Sequence, residues 1–261
     1  MRAPPGASRA RPSTATLAPG RPLNADSYLD AVLPLLEGLR GDAGIARAGE
    51  AVAASIGSGR RVWLARTSHT LHGEATHRGG GLVAAHVLHD ALAIEPGDCV
   101  ILGAPAGTTA AAVEIALETV RRGGVLVALT SLAFENDRDT VVEHVSGKRV
   151  HELADVVVDL GGPAGDGVFE QPDDVPGMRV IPHSGVTGVA ALWMIFAEAV
   201  ACLEHEGKTP LFFQSELVAG ARARNVSELA RYRATGAGYR AGSAATRSAD
   251  GADREPLERE R

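Results

Sequence analysis

Hydroxyls, imidazoles and carboxylates in this chain are concentrated directly behind short apolar runs. The first group is Arg66-Thr67-Ser68-His69-Thr70-Leu71-His72-Gly73-Glu74, after Arg61 to Ala65. The second is the small-residue turn Gly103-Ala104-Pro105-Ala106-Gly107-Thr108-Thr109, after Cys99 to Leu102. Thr130 and Ser131 follow Val125 to Leu129, Gly161 to Asp166 follow Asp155 to Asp159, and His183-Ser184-Gly185-Val186-Thr187 follow Met178 to Ile181. Backbone N–H groups at a helix start, joined by Ser and Thr hydroxyls, suit a phosphate, which needs many donors and gains from the helix dipole. Each hydroxyl taken singly is explained as a helix cap. Brought together at one sheet edge, they favour anion binding. Glu74 is placed to serve there as a general base, or else is a solvated helical carboxylate.

Other chemistries are less well supported. His69, His72 and His77 surround Glu74, and His69 and His72 at i, i+3 could share a helix face. A zinc site would need a third ligand, and H-x-x-H alone is no metal signature, so no metal is expected. The turn after Leu102 has neither the G-x-G-x-x-G spacing nor a Walker lysine, so no nucleotide cofactor is expected either.

The elements that must position these groups alternate along the chain. Cys99 to Leu102 and Val125 to Leu129 are apolar without alternation, as strands covered on both faces are. Between them Val113, Ala116, Leu117 and Val120 repeat at helical spacing, and Arg121-Arg122-Gly123-Gly124 supplies a basic, glycine-containing stop. Strand, helix and parallel strand make a right-handed βαβ unit. Further strands are expected at Arg61 to Ala65, Asp155 to Asp159 and Met178 to Ile181. Helices are expected after an Asp26 cap to Leu39 (with Pro34 inside), at Ile45 to Ile56, from Thr67-Ser68 onward, at Ser146 to Leu153 and at Gly185 to Glu204. The last is apolar on nearly every side and reads as a helix buried in the core or in a dimer interface. The pattern specifies α/β: a three-layer αβα sandwich with a mainly parallel five-stranded sheet. Ligands of such sheets bind at the carboxyl ends of the strands.

A length of 261 residues and an apolar content of 45% allow one full core. Residues 25–235 carry the periodic pattern, flanked by tails at 1–24 and 236–261 that lack it and are expected to be disordered. The net charge of -6 argues against a nucleic-acid partner. Cys99 and Cys202, both in apolar runs, make no disulfide framework and point to a reducing, cytoplasmic setting. The apolar stretch near Gly185 is too interrupted for a membrane span to be expected.

Several stretches resemble an uncharacterised bacterial family of sugar isomerase (SIS) domain proteins related to the phosphoheptose isomerases. Ser146 to Asp159, SGKRVHELADVVVD, is similar to that family's S-G-K-K-L-x-E-L-A-D-V-V-I-D. Gly162-Pro163-Ala164-Gly165-Asp166 resembles G-P-V-G-D, and Leu129-Thr130-Ser131-Leu132-Ala133 resembles I-T-S-L-A. Ser68-His69, Leu71, Glu74, Arg78 and Gly80-Gly81-Leu82 resemble G-H-S-H-M-L-A-E-E-x-x-x-R-A-G-G-L, and Pro182 with Ser184 resembles P-T-S-T. The family's phosphate loop S-N-S-G-R-N is here Ala104-Pro105-Ala106-Gly107-Thr108-Thr109, without its serines. Its late acidic motif L-D-G-G-D-E-H-N is Leu217 to Asn225, LVAGARARN, without its acids, and Arg66, Arg222 and Arg224 are alternative phosphate holders.

The resemblance implies the SIS fold, a homodimer or higher homo-oligomer, and binding of a phosphorylated sugar or amino-sugar. Ser68, Gly107, Thr108, Thr109, Thr130, Ser131, Ser184 and Thr187 would hold the ligand. In an aldose–ketose isomerase Glu74 or His69 would take the proton next to the carbonyl. The alternative is a non-catalytic phosphosugar sensor with a degenerate phosphate loop.

Overall fold

The structure, a computed structural model, describes residues 23–76, 78–135, 137, 139–170 and 178–241. Its chain order is α1 (Ala25–Leu39), α2 (Ala43–Gly57), β1 (Val62–Ala65), α3 (Leu71–Ala75), β2 (Ala85–Leu88), β3 (Cys99–Gly103), α4 (Ala110–Arg121) and β4 (Val125–Thr130). It continues with α5 (Val150–Leu153), β5 (Val156–Asp159), β6 (Gly167–Glu170), β7 (Arg179–Pro182), α6 (Ser184–His205), β8 (Lys208–Pro210), α7 (Ala221–Thr235) and β9 (Tyr239–Ala241). Five strands form one all-parallel sheet in the order β2-β1-β3-β4-β5.

Register and pleat together produce the three layers. Leu64, Ile101, Val127 and Val156 lie opposite one another across the sheet and all enter one core with α2 and α6. Their neighbours Val100, Leu102, Leu126 and Ala128 point the other way, into a second core with α4 and α5. Successive side chains alternate faces, so a strand buried on both sides must be apolar at every position. The βαβ unit of β3, α4 and β4 is as the sequence leads one to expect, and so is the α/β sandwich.

Several boundaries differ from the sequence reading, each for a physical reason. The fifth sheet strand is β2, not Met178 to Ile181. β2 is a short edge strand whose pattern is interrupted by half-buried His86, so it carries no long apolar run. β7 pairs antiparallel with β6 in a separate hairpin that packs on Ala31 and Val32 of α1. Met178 and Ile181 are 45% and 50% exposed, which a strand covered on both faces would not allow. The α1 cap is Asn24 rather than Asp26: Asn24 Oδ1 accepts from Ser27 N at 2.9 Å while Asn24 N donates to Ser27 Oγ at 3.0 Å. α3 begins at Leu71, not at Thr67-Ser68, which leaves His69 in the loop before it. α5 is one turn from Val150, and residues 146–149 precede it.

α6 matches the long apolar helix. By length and hydropathy it could cross a membrane, with a mean hydropathy of 2.0, yet Thr187, Ala191, Leu192, Ile195, Phe196, Ala199 and Leu203 are buried within this fold. α7 and β9 follow the expected body. β9 pairs with β8, Leu211 N donates to Gly238 O at 2.9 Å, and Arg240 forms an ion pair with the buried Glu228 of α7. The packed chain therefore runs to Ala241, past the boundary expected at 235. The remaining tail residues, 1–22 and 242–261, lie outside the described residues.

Ending the chain after residue 241 or after residue 235 separates these contributions. Removal of β9 takes from Glu228 its charged hydrogen-bond partner, the partly exposed Arg240, a loss of about 1.5–3 kcal/mol. Since ~1 kcal/mol moves the melting point of a domain this size by about 2–4 °C, truncation at 235 lowers it by several degrees. Truncation at 241 leaves it unchanged in a thermal melt.

Candidate functional site

A cleft of about 130 Å³ opens at the carboxyl ends of β1, β3 and β4. Most of its lining comes from three segments, the β1–α3 loop, the turn after β3, and the junction of Asp166 with the start of α6, and Leu129 and Leu160 complete it. In the first segment Thr67 Oγ1 donates to Gly103 O at 2.9 Å, and Ser68 Oγ accepts from Leu71 N at 3.3 Å. Gly103 makes the close approach possible, because a Cβ there would overlap the Leu71 side chain. Ser68, His69 and Thr70 thereby reach the rim, with His69 exposed.

The turn after β3 is held from below. Pro105 O accepts both Thr130 Oγ1 and Ser131 N, each at 2.9 Å. Ser131 Oγ points at Gly162 O at 3.5 Å. Gly107 O accepts from Val150 N at 2.8 Å, and buried Thr108 accepts through its carbonyl from Glu143 N at 3.1 Å. Thr109 is the exposed first residue before α4, and its side chain makes no cap bond. A carboxylate stands at that helix start instead: Ala110 N donates to Glu143 Oε2 at 3.0 Å.

The third wall is a carboxylate set on unusual backbone. Asp166 has φ 62, a left-handed conformation that Asp tolerates better than most side chains. From there its Oδ1 accepts from Ser184 N at 3.1 Å and its Oδ2 from Ser184 Oγ at 2.8 Å. The acid thus satisfies the N-terminus of α6, where a negative charge is stabilised by the helix dipole. His183, 1% exposed, lies beneath it with Nε2 3.5 Å from Asp166 Oδ1 and Nδ1 3.3 Å from Thr187 Oγ1. Gly162 gives the ring its space, since a Cβ there would overlap it. Burial holds the His183 imidazole below its usual range; Asp166 opposes this and Arg179 adds to it. The ring is therefore neutral near neutral pH, and its Nε2 has no hydrogen-bond partner.

Of the residues singled out in the sequence, the structure brings Ser68, His69 and Ser184 into the cleft wall. Gly107, Thr108, Thr109, Thr130, Ser131 and Thr187 do not line it, and most of their hydrogen bonds hold the turns together. Thr187 is fully buried against His183. Glu74 also stands outside the lining. Its Oε1 is paired with Arg78 and accepts from Trp193 Nε1 at 3.3 Å. Arg66 and Arg222 are exposed, and Arg224 borders a different groove beside Phe212 and Gln214. Among the described residues no group of three or more His, Cys, Asp and Glu side chains is placed to hold a metal. His77 lies outside the described residues.

Asp166 and His183 stand behind strands in the sequence but are not among the ligand-holding or catalytic residues it suggests. The local signal was there: an Asp between Gly165 and Gly167 marks a turn with positive φ, where Asp is one of the few tolerated side chains. What Asp166 caps, eighteen residues on, no local signal reports.

No protein-family model matches the chain. A UPF0309 protein of Listeria monocytogenes serotype 4b is 29% identical over 239 residues, spanning 79% of this chain and 95% of its own length. Among solved structures, phosphoheptose isomerase GmhA from Neisseria gonorrhoeae is 15% identical and covers 69% of this chain and 96% of that one, with a TM-score of 0.45. The sugar isomerase domain of an RpiR transcription factor from Sphaerobacter thermophilus is 13% identical and covers 78% of this chain and 92% of that one, with a TM-score of 0.41. The chain is thus similar along most of its length to an uncharacterised bacterial family, in keeping with its motifs.

The buried imidazole makes stability depend on pH. His183 has a folded value below its ordinary 6.5, so the unfolded chain binds the proton more readily. Stability conferred by the neutral ring is complete above about pH 6.5 and is lost progressively as pH falls below that value toward the folded one. Denaturant titrations at pH 7.5 and 5.5 show a larger loss for wild type than for His183→Gln. Equal losses would place the titration on another group.

Proposed function

We propose that the protein binds a sugar derivative, a phosphorylated sugar or an amino-sugar, in the cleft at the carboxyl ends of β1, β3 and β4, and that it acts as a binding or sensing protein. The observation that carries this is the lining itself. Ser68, Thr70 and Ser184 present hydroxyls, His69 an imidazole and Asp166 a carboxylate, over a floor of Leu71, Leu129 and Leu160. Few but convergent polar groups over an apolar floor are what a small polyhydroxylated ligand needs. The family resemblance of the motifs points to the same ligand class. Sensing is favoured over turnover because Glu74, the natural carboxylate base, is paired with Arg78 and hydrogen-bonded to Trp193 outside the lining.

One observation favours a second reading. His69 stands on the cleft wall beside Ser68, in reach of a bound ligand, and would be the base of an isomerase. Thermal shift against a panel of sugars, amino-sugars and their phosphates identifies a ligand; His69→Ala weakens it about two- to tenfold, the value of one neutral hydrogen bond. Binding without interconversion of aldose and ketose forms supports the sensor. Turnover that His69→Ala abolishes and Glu74→Gln leaves intact selects the isomerase. No stabilisation by any member of the panel refutes the sugar site.

The proposal includes a homodimer and a reducing, cytoplasmic setting, with no nucleic-acid or membrane partner. Leu29 and Leu33 of α1, one helical turn apart, are 53% and 52% exposed, and Val186 of α6 is 43% exposed. Grouped exposed apolar residues favour association. Both cysteines are free thiols, and burial pushes Cys99 up to about 12 with Asp155 and Asp98 adding to the shift. Sedimentation at micromolar concentration shows a dimer that a Leu29→Glu, Leu33→Glu double variant shifts to monomer. A monomeric wild type at that concentration contradicts it.

A further inference from the structure

We infer that the groove at the amino edge of the sheet, opposite the cleft, is a second binding site, and that it takes a small oxyanion carrying two or more negative charges. This site is independent of the sugar reading of the cleft.

The groove, of about 270 Å³, is larger than the cleft and differs from it in charge. The guanidinium groups of Arg60, Arg61 and Arg233 line it, together with the carboxylates of Glu95 and Asp98. Asp98 is fully buried and accepts from Arg61 N, Trp63 Nε1 and Glu95 N, so Glu95 is the acid that a ligand meets. Three arginines against one accessible carboxylate leave two positive charges uncompensated, which sets the charge of the ligand. Among the described residues no lysine or arginine lines the cleft. The gathering of cations at one groove stands out in a chain whose net charge is -6.

Fixed elements bring the arginines together. Arg60 and Arg61 stand just before β1, and Arg233 is in the last turn of α7. Gly59 and Gly236, both at positive φ, turn the chain at the ends of α2 and α7 and come close to each other across the groove. The Arg61 guanidinium lies 5.6 Å from the Trp63 ring, which Asp98 anchors. Tyr232, next to Arg233, is held to the edge strand β2 by His86 Nε2 at 2.8 Å. Guanidinium groups placed beforehand lose less freedom when they close on an anion.

Most of their donors are unused in the chain itself. A guanidinium has five N–H donors. Arg60 Nη1 gives one to Glu95 Oε2 at 3.2 Å, Arg61 Nη1 stands 3.8 Å from Glu95 Oε1, and Arg233 meets no carboxylate among the described residues. Helix C-termini attract cations, and α2 and α7 both end here. Their last carbonyls are nevertheless served by the main chain: Ser55 O by Arg60 N at 2.8 Å, Ile56 O by Gly59 N at 3.0 Å and Tyr232 O by Gly236 N at 2.8 Å. Capping does not consume the side chains. Nor does stability call for them, since exposed ion pairs contribute little. A phosphate or carboxylate group supplies the missing acceptors in the paired geometry that a guanidinium matches.

Calorimetric titration of the full chain with pyrophosphate, citrate and singly charged acetate, at low and high NaCl, tests this. Wild type binds a polyanion more tightly than acetate, and less tightly as salt is raised. Arg61→Ala and Arg233→Ala each weaken it about tenfold to a hundredfold, as for one hydrogen bond to a charged group. Glu95→Gln strengthens it by removing the competing carboxylate. Arg47→Ala, at an exposed arginine of α2 outside the groove, leaves it unchanged. The order of pyrophosphate and citrate tells a phosphate ligand from a carboxylate one, and either order supports the site. Should Arg61→Ala fail to fold, Arg233→Ala on the exposed side of α7 decides. Binding of neither polyanion at low salt overturns the inference. So does binding that Arg233→Ala and Glu95→Gln leave at wild-type strength, since the anion then sits elsewhere. Both results leave the sugar reading of the cleft untouched.

Discussion

Closure of β3 on both faces is the constraint from which the rest of the molecule follows. Cys99, Val100, Ile101 and Leu102 are all within 1% of complete burial, with alternate side chains in opposite cores. No water reaches such a strand, so its backbone groups must be paired within the sheet, which its parallel neighbours β1 and β4 provide. Burying side chains of this size contributes about 1.5–3 kcal/mol each, and polar side chains along the strand would forfeit that. Polar chemistry is consequently driven to the strand ends. At the amino end the fully buried Asp98 accepts from Arg61 N at 2.9 Å, Trp63 Nε1 at 2.8 Å and Glu95 N at 3.0 Å, so its charge is satisfied by fixed donors and joins the starts of β1 and β3.

At the carboxyl end the same rule sorts the hydroxyls. A Ser or Thr close to the sheet edge binds a ligand only if the turn beside it does not already need it. Thr67 is drawn to Gly103 O, Thr130 to Pro105 O and Thr187 to His183. These bonds shape the cleft by fixing the three loops that enclose it. Ser68, His69, Thr70 and Ser184 are what the loops leave on the wall, and Asp166 is the acid among them. The site is therefore smaller and more acidic than a count of hydroxyls behind strands suggests.

α6 joins the two halves of the argument. Its apolar length packs on the sheet and on α2 in one core, while its first residues meet Asp166 and its middle meets α3 through Trp193. Arg78 stacks its guanidinium 5.8 Å from the Trp193 ring while pairing with Glu74. The pairing sets α3 against α6, and it turns the carboxylate that might have served as a base into a structural partner of the indole.

By itself the sequence determined the parts that depend on local period. Unalternating runs marked β1, β3, β4 and β5, helical spacing marked α2, α4 and α6, and their alternation led to a parallel sheet with its cleft at the carboxyl edge. These features are written in neighbouring residues, because burial on one or two faces leaves a period of two, of 3.6, or none. The tertiary structure decided whatever depended on a choice of partner. β2 is in the sheet and β7 outside it because strand pairing, not strand composition, assigns an edge. Asp166 meets Ser184 across 18 residues and Glu74 meets Trp193 across 119, and nothing in either local pattern names the other end. A hydrogen bond between distant segments is fixed by how the layers pack, and the layers exist only once the chain has folded.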